Sequence, residues 1–437
     1  MPLRSRNQRL DGDAARVDGE TKETAPKKVA EGSKNLVRNT TAQGESGNGS
    51  WRRPVRLCCR LCRARCKNIK RVQIDVYIIV LVVWLFTLYL AIHFGTKLAI
   101  ENYREFLEEN LCFDSSSGEK PFAEHMGSYD FVARAQMVYE VDKMLYTNQS
   151  EVGQKIEVFS NSFLGKVLVV ENEIMITEKD EKHYHEMISH VPLAYLNDVP
   201  NVRVLIIGGG DGGTLFQVLR HPNVRHVTMV ELDKSVVEVS KKFFPQFAEA
   251  YNDPRVTLIF DDGAKYVSNR LGLKYINVAE ADPLELRIAN QKGLPKAKPE
   301  NEFDLVIVDS TDYGVAVPLF TRQFYMQVQE LLNDEHGILV FNCDTPAWAL
   351  STVSHVSSLI SSVFKQNYLY QVFQPTYVSG HYTFMFASDT VHPVKTPINW
   401  DKWDAKNIET TYYNKGVHQA SFYLPQYIKQ TMRHQDI

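Results

Sequence analysis

The sequence predicts an α/β protein. It has a doubly wound parallel sheet, preceded by a small antiparallel β-domain and one N-terminal transmembrane helix. Three patterns point there. After Pro200 the apolar runs VRVLIIGGG, VRHVTMVELD, VTLIFDDG, FDLVIVDS and GILVFN alternate with helical stretches, as expected for strands buried on both faces. Between about 128 and 180, short alternating runs such as KIEVFS and KVLVVEN are separated by turns, the pattern of half-buried antiparallel strands. Val76–Phe94 contains no Asp, Glu, Lys or Arg. As a helix it reaches about 28 Å at ~1.5 Å per residue, close to the hydrocarbon thickness of a bilayer.

In chain order, residues 1–50 are polar and nearly free of aromatic side chains, so a disordered tail is expected. The tail becomes densely basic from Trp51 and ends at about 73. The span occupies 74–97, a juxtamembrane linker 98–127, the β-domain 128–195 and the doubly wound domain 196–437. A charged stretch with Pro and Gly, about 268–302, reads as a surface insertion. Residues 1–73 carry 18 basic and 7 acidic side chains, and the remainder 31 and 45. An acidic body argues against nucleic acid as a partner and suits cationic ligands. The positive-inside rule favours a cytosolic tail with the body across the membrane, but the organelle and the side the body faces stay open. Asn148-Gln149-Ser150, the one glycosylation sequon after the span, would report on that topology.

Four of the six cysteines (Cys58, Cys59, Cys62, Cys66) crowd into the basic tail. Beside a membrane span, S-acylation suits them better than zinc, and no disulfide framework is indicated. His183 and His185 lack partner ligands in the sequence, so no metal is expected.

The chemistry begins at Gly208-Gly209-Gly210-Asp211-Gly212-Gly213, between a strand and a helix. Glycines there let a ligand approach the backbone at a helix N-terminus. Glu231 ends the next strand, 23 residues after Gly208, where an acid can accept from both ribose hydroxyls. A nucleoside-containing ligand follows. Asp211 would repel a pyrophosphate and favours a ligand with positive charge. Asp262-Gly263 follows the third strand, and Asp309 and Asp312 follow the fourth, at the sheet edge where such folds bind ligands. Any one of these acids could simply cap a helix; four converging on one edge are poorly explained that way.

The stretches GQKIEVFSNSFLGKVLVVEN, TEKDEKHYHEM, VLIIGGGDGGTL, DPRVTLIFDDGA, DLVIVDSTD, QPTYVSG and YYNKGVHQASFYLPQY run in order from about Tyr139 to Lys429. Across them the chain resembles the spermidine synthases, putrescine aminopropyltransferases of the polyamine biosynthesis family. The Tyr184-His185-Glu186-Met187 form is similar to the bacterial branch. The resemblance implies a Rossmann-like, methyltransferase-type domain and a dimer or tetramer. It implies transfer of the aminopropyl group of decarboxylated S-adenosylmethionine, a co-substrate, to putrescine, without a permanently bound cofactor or metal. By position, Gln154, Gly208, Gly210 and Glu231 would hold the nucleoside, with Asp262 and Gly263 at the adenine. Asp211 would grip the donor ammonium, and His185 and Tyr377 would contact the amine. Asp309, helped by Tyr184 and Asp312, would bind the attacking amine and take its proton.

The chain departs from the family where Asp-x-x-Asp-Pro-x-Gly-Pro is usual. Here Asp312 is followed by Tyr313, and the loop is a residue shorter. A longer acceptor, as in spermine or thermospermine synthases, is thus one alternative. An amine N-methyltransferase is another, disfavoured by Asp211. A catalytically silent, membrane-tethered binding protein is the third.

Overall fold

The computed structural model describes Leu88 and residues 120–124, 137–275, 302–311 and 316–432. The basic tail with its cysteines and, apart from Leu88, the predicted span lie outside the described residues. So do Asp312 and most of the predicted insertion. Among the described residues, no helix is long and apolar enough to cross a membrane.

β1 (Phe122–Ala123) pairs antiparallel with β2 (Val138–Tyr139). Part of the expected linker is therefore a strand. β3 (Lys143–Gln149), β4 (Lys155–Asn161), β5 (Gly165–Val170) and β6 (Glu173–Thr177) form an antiparallel sheet in sequential order. Glu171 and Asn172, both at positive φ, make the two-residue β5–β6 turn, whose twist suits a tight hairpin. One face of this sheet (Ile156, Val158, Leu168, Val170) packs on Val236, Val239, Phe244 and Phe247 of the larger domain.

The chain then runs through α1 (Glu181–Tyr195), β7 (Val202–Gly208), α2 (Gly213–Leu219), β8 (Val224–Glu231), α3 (Lys234–Phe243), β9 (Val256–Phe260) and α4 (Gly263–Arg270). β10 (Leu305–Asp309), α5 (Arg322–Leu331), β11 (Ile338–Asn342), α6 (Pro346–Ser361), β12 (Gln366–Phe373) and β13 (His381–Ser388) follow. The seven strands are ordered β12-β13-β11-β10-β7-β8-β9. Five are parallel, at the five runs expected from the sequence. The sheet is nevertheless mixed, because β13 runs antiparallel to both β11 and β12. In β10, Leu305 and Ile307 face one core while Val306 and Val308 face the other, which is why its sequence is continuously apolar.

Two boundaries differ from expectation. α1 packs on the large sheet through Met187, Ile188, Val191 and Leu193, so the β-domain gives way near Asp180 rather than at 195. Helix α4 runs through residue 268, where the insertion was expected to begin. It is held by an Asp262 cap and by Ser268, whose hydroxyl donates to Ala264 O and Gln327 Oε1.

Candidate active site

Strand order reverses between β7 and β10, and ligands of open α/β sheets bind in the crevice beyond such a reversal. A cavity of about 410 Å³ opens there, walled on one side by the β-domain (Leu168, Val170, Met175). The nucleoside set expected from the sequence (Gln154, Gly208, Gly210, Glu231, Asp262, Gly263) borders it. So does the amine set Tyr184, His185, Asp211, Asp309 and Tyr377.

The parallel register places Gly208 opposite Asp309. Gly209 N–H donates to Asp309 O at 2.7 Å. Gly208 sits at φ 80°, and a Cβ there would lie 2.1 Å from Asp309 O. Only glycine permits both the left-handed turn and the contact.

Asp309 is buried, with both carboxylate oxygens held. Tyr184 Oη donates to Oδ1 at 2.7 Å, and Thr214 Oγ1 donates to Oδ2 at 2.6 Å. Burial and the nearby Asp211 charge push its pKa up to about 6, against the lowering effect of His185 and the two hydroxyls. Tyr184 is held well above the ordinary tyrosine value by burial and the Asp309 charge. It stays a neutral donor. Glu231 accepts from Asp233 N at 2.8 Å, and burial pushes its pKa up to about 7.

Asp211 accepts from Gly213 N at 2.7 Å, and its Oδ1 lies 3.2 Å from His185 Nε2. Burial alone would raise its pKa, yet the His185 charge holds it below the ordinary carboxylate value. His185 Nδ1 lies 2.8 Å from Glu181 Oε2. Burial opposes charge on that imidazole, but the two carboxylates raise its pKa well above the usual histidine value. The ring is 0% exposed. His185 thus touches Asp211 as well as bordering the cavity.

Asp262 caps α4, accepting from Ala264 N at 2.8 Å and Lys265 N at 3.1 Å. Its other oxygen accepts from Tyr275 Oη at 2.8 Å. Capping and a place in the cavity wall therefore coexist. Tyr377 donates its hydroxyl to Met175 O at 2.7 Å and sets its ring edge-on to Tyr184 at 5.8 Å. Sequence reasoning missed Thr214 and Glu181. The i,i+4 spacing of Glu181 and His185 was a usable signal for the second. For Thr214, no pattern announces that a hydroxyl one turn into α2 meets a strand 95 positions later.

Family profiles match this chain over most of its body. A spermidine synthase tetramerisation domain covers residues 128–178, and a spermine/spermidine synthase domain covers 181–290 and 285–396. A polyamine aminopropyltransferase of Alkaliphilus oremlandii is 36% identical over 300 residues, spanning 68% of this chain and 94% of the relative. The chain belongs to the spermidine synthase family. A polyamine aminopropyltransferase of Clostridium botulinum is 37% identical over 292 residues, 66% of this chain and 91% of the relative. Among solved structures, a spermidine synthase in complex with the transition state analogue AdoDATO superposes with TM-score 0.62 at 31% identity. It covers 75% of this chain and 100% of that one. The spermidine synthase of Thermotoga maritima gives 0.61 at 30% identity, over 75% and 99% of the two chains. The chain is accordingly an aminopropyltransferase.

Proposed function

We propose that this aminopropyltransferase moves the aminopropyl group of decarboxylated S-adenosylmethionine, the family's co-substrate, to putrescine, with Asp309 as general base. The observation that carries the reading is Asp309 itself, a buried carboxylate pinned by two hydroxyls with its pKa raised to about 6. An aliphatic amine with a pKa near ~10 is protonated at neutral pH and cannot attack until it loses a proton. Asp309 takes that proton. The amine nitrogen then bonds to the carbon next to the sulfonium, the carbon–sulfur bond breaks, and its electron pair stays on sulfur as neutral methylthioadenosine. Orientation and desolvation supply the remaining rate enhancement. Glu231 and Gln154 hold the nucleoside, Asp262 and Gly263 border the adenine, and Asp211 grips the donor ammonium. Asp312, three positions after Asp309 in the sequence, assists with the acceptor amine. The family's tetramerisation domain at 128–178 supports a dimer or tetramer.

We also infer that Val76–Phe94 anchors the enzyme in a membrane. The support is its uncharged apolar sequence behind a basic tail. Retention in the pellet after alkaline carbonate washing is expected, and release there would remove the anchor.

The deciding experiment incubates the purified chain with decarboxylated or ordinary S-adenosylmethionine and with putrescine, cadaverine or spermidine, and identifies products by mass spectrometry. Spermidine with methylthioadenosine is expected. Spermidine as the preferred acceptor would shift the assignment to a longer polyamine, and a methylated amine would overturn aminopropyl transfer. No product from a chain that binds methylthioadenosine would leave a binding protein.

A further inference from the structure

We propose that Glu181 is a positioning residue for this transfer. It keeps His185 doubly protonated, so that Asp211 remains an anion aimed into the cavity. The inference deepens the role given to Asp211 above and rests on that reading.

The geometry carries it. Glu181 Oε2 lies 2.8 Å from Nδ1 and Asp211 Oδ1 lies 3.2 Å from Nε2, so a carboxylate oxygen stands at each nitrogen of one ring. An ionised carboxylate only accepts, and a neutral imidazole has a single N–H to give. The Nδ1 contact is a hydrogen bond; Nε2 makes none and meets Asp211 only as a close charge contact. There a neutral ring donating at Nδ1 would set a lone pair against the carboxylate, and an imidazolium sets a positive charge. Water cannot substitute, because the ring is wholly buried. Nor can the ring swing away. A Cβ on Gly213 would lie 2.0 Å from its Cε1, so the α2 backbone closes on it, and Tyr184 and Phe247 set edges against it at 5.6 and 5.9 Å.

The groups that face this ring are predominantly acidic. From its own helix come Glu181 and the Tyr184 hydroxyl, from the β7–α2 loop Asp211, and from β10 Asp309. The Tyr251 hydroxyl stands behind them, donating to Gly210 O at 2.8 Å. His185 is the positive member of this set. Without it, Asp211 and Asp309 would compete for one proton, as close carboxylates do. Glu181 thus acts at one remove: it holds the charge that keeps Asp211 ionised.

The test compares full-length wild type with Glu181→Gln and Glu181→Asp. Nitrogen NMR of histidine-labelled protein, with the His185 signal identified by its loss in His185→Gln, reads the ring directly. The wild type is expected to show both ring nitrogens protonated at pH 8, and Glu181→Gln one. Steady-state kinetics should show the donor KM of Glu181→Gln raised about tenfold, the equivalent of one pKa unit, with the acid limb of its pH profile moved upward. Glu181→Asp should recover part of both. A neutral His185 in the wild type overturns the proposal, even if Glu181→Gln fails to fold. So does a Glu181→Gln enzyme that loses only stability while its pH limb stays put. The NMR reading needs no turnover, so an enzyme inactive on every donor would fail the functional reading while leaving the imidazolium measurable.

Discussion

Asp309, the base of the proposed transfer, is balanced between its charged and neutral forms. Tyr184 and Thr214 each donate to Asp309, favouring its ionised form, while burial and Asp211 disfavour it. Removing one donor tips that balance. Thr214→Val is expected to move the acid limb of the pH–rate profile upward by about half a unit to one unit, read from kcat/KM for the acceptor between pH 5 and 8. Asp309→Asn should lower kcat by about 10²–10⁴-fold, the usual worth of a positioned base. Methylthioadenosine affinity should stay within about threefold, as calorimetry would measure. Stability carries a further sign. Asp309 is raised in the folded state from 3.8 to about 6. Its protonated form therefore stabilises the fold below pH 4, and that contribution is lost as pH rises through about 6. The melting temperature of the ligand-free wild type should accordingly fall relative to Asp309→Asn between pH 4 and 6. A constant difference would contradict the raised value.

At the scale of elements, α1 organises the site. One helix brings Tyr184 and His185 to the cavity, sets Glu181 against His185, and gives Glu186 the opposite task. The Glu186 carboxylate accepts from Thr411, Tyr412 and Tyr413 N–H, each at 2.8 Å. This fastens the C-terminal Tyr412-Tyr413-Asn414 stretch to the helix. Glu186→Ala strands those donors and should cost about 2–4 kcal/mol in urea unfolding. A loss below about 0.5 kcal/mol would mean that water replaces the carboxylate. The five parallel strands were legible because burial on both faces leaves an unbroken apolar run. The β12–β13 hairpin was not. Its seven-residue connection carries the QPTYVSG stretch, a loop motif, and nothing local says that β13 inserts antiparallel between β12 and β11. The convergence of Asp211, Asp262 and Asp309 was readable, since each acid sits at or just beyond the C-terminal end of a parallel strand; Asp312, expected with them, lies outside the described residues. The Thr214 hydroxyl on Asp309 was not readable, because that pair is brought together by tertiary packing.

For the molecule as a whole, charge is divided between a basic N-terminal segment and an acidic body. The cavity concentrates that acidity in Asp211, Glu231 and Asp309, which suits a donor with two positive charges and excludes phosphate-bearing nucleotides. Which side of a membrane the body faces is decided by Asn148, exposed on β3. Should Val76–Phe94 span a membrane, the positive-inside rule would put the body across it, and a glycosidase-sensitive mass shift at Asn148 would then be expected when the chain is made in a eukaryotic cell. Its absence would place the catalytic body on the same side as the cytosolic pools of its substrates and overturn the topology inferred from the tail.

The pairing of Gly208 with Asp309 has a last consequence. The loop that would receive the donor and the acid that would prepare the acceptor in the proposed transfer are joined by adjacent parallel strands, with backbone packed on backbone. The separation of the two reactants is therefore set by a main-chain ruler and not by side-chain choice. Loops farther out, such as the one after Asp309 or the turn at Tyr377, can change length and composition to admit a different amine without recalibrating it. Divergence in this family is then expected to accumulate around the acceptor, while the reacting distance is inherited unchanged.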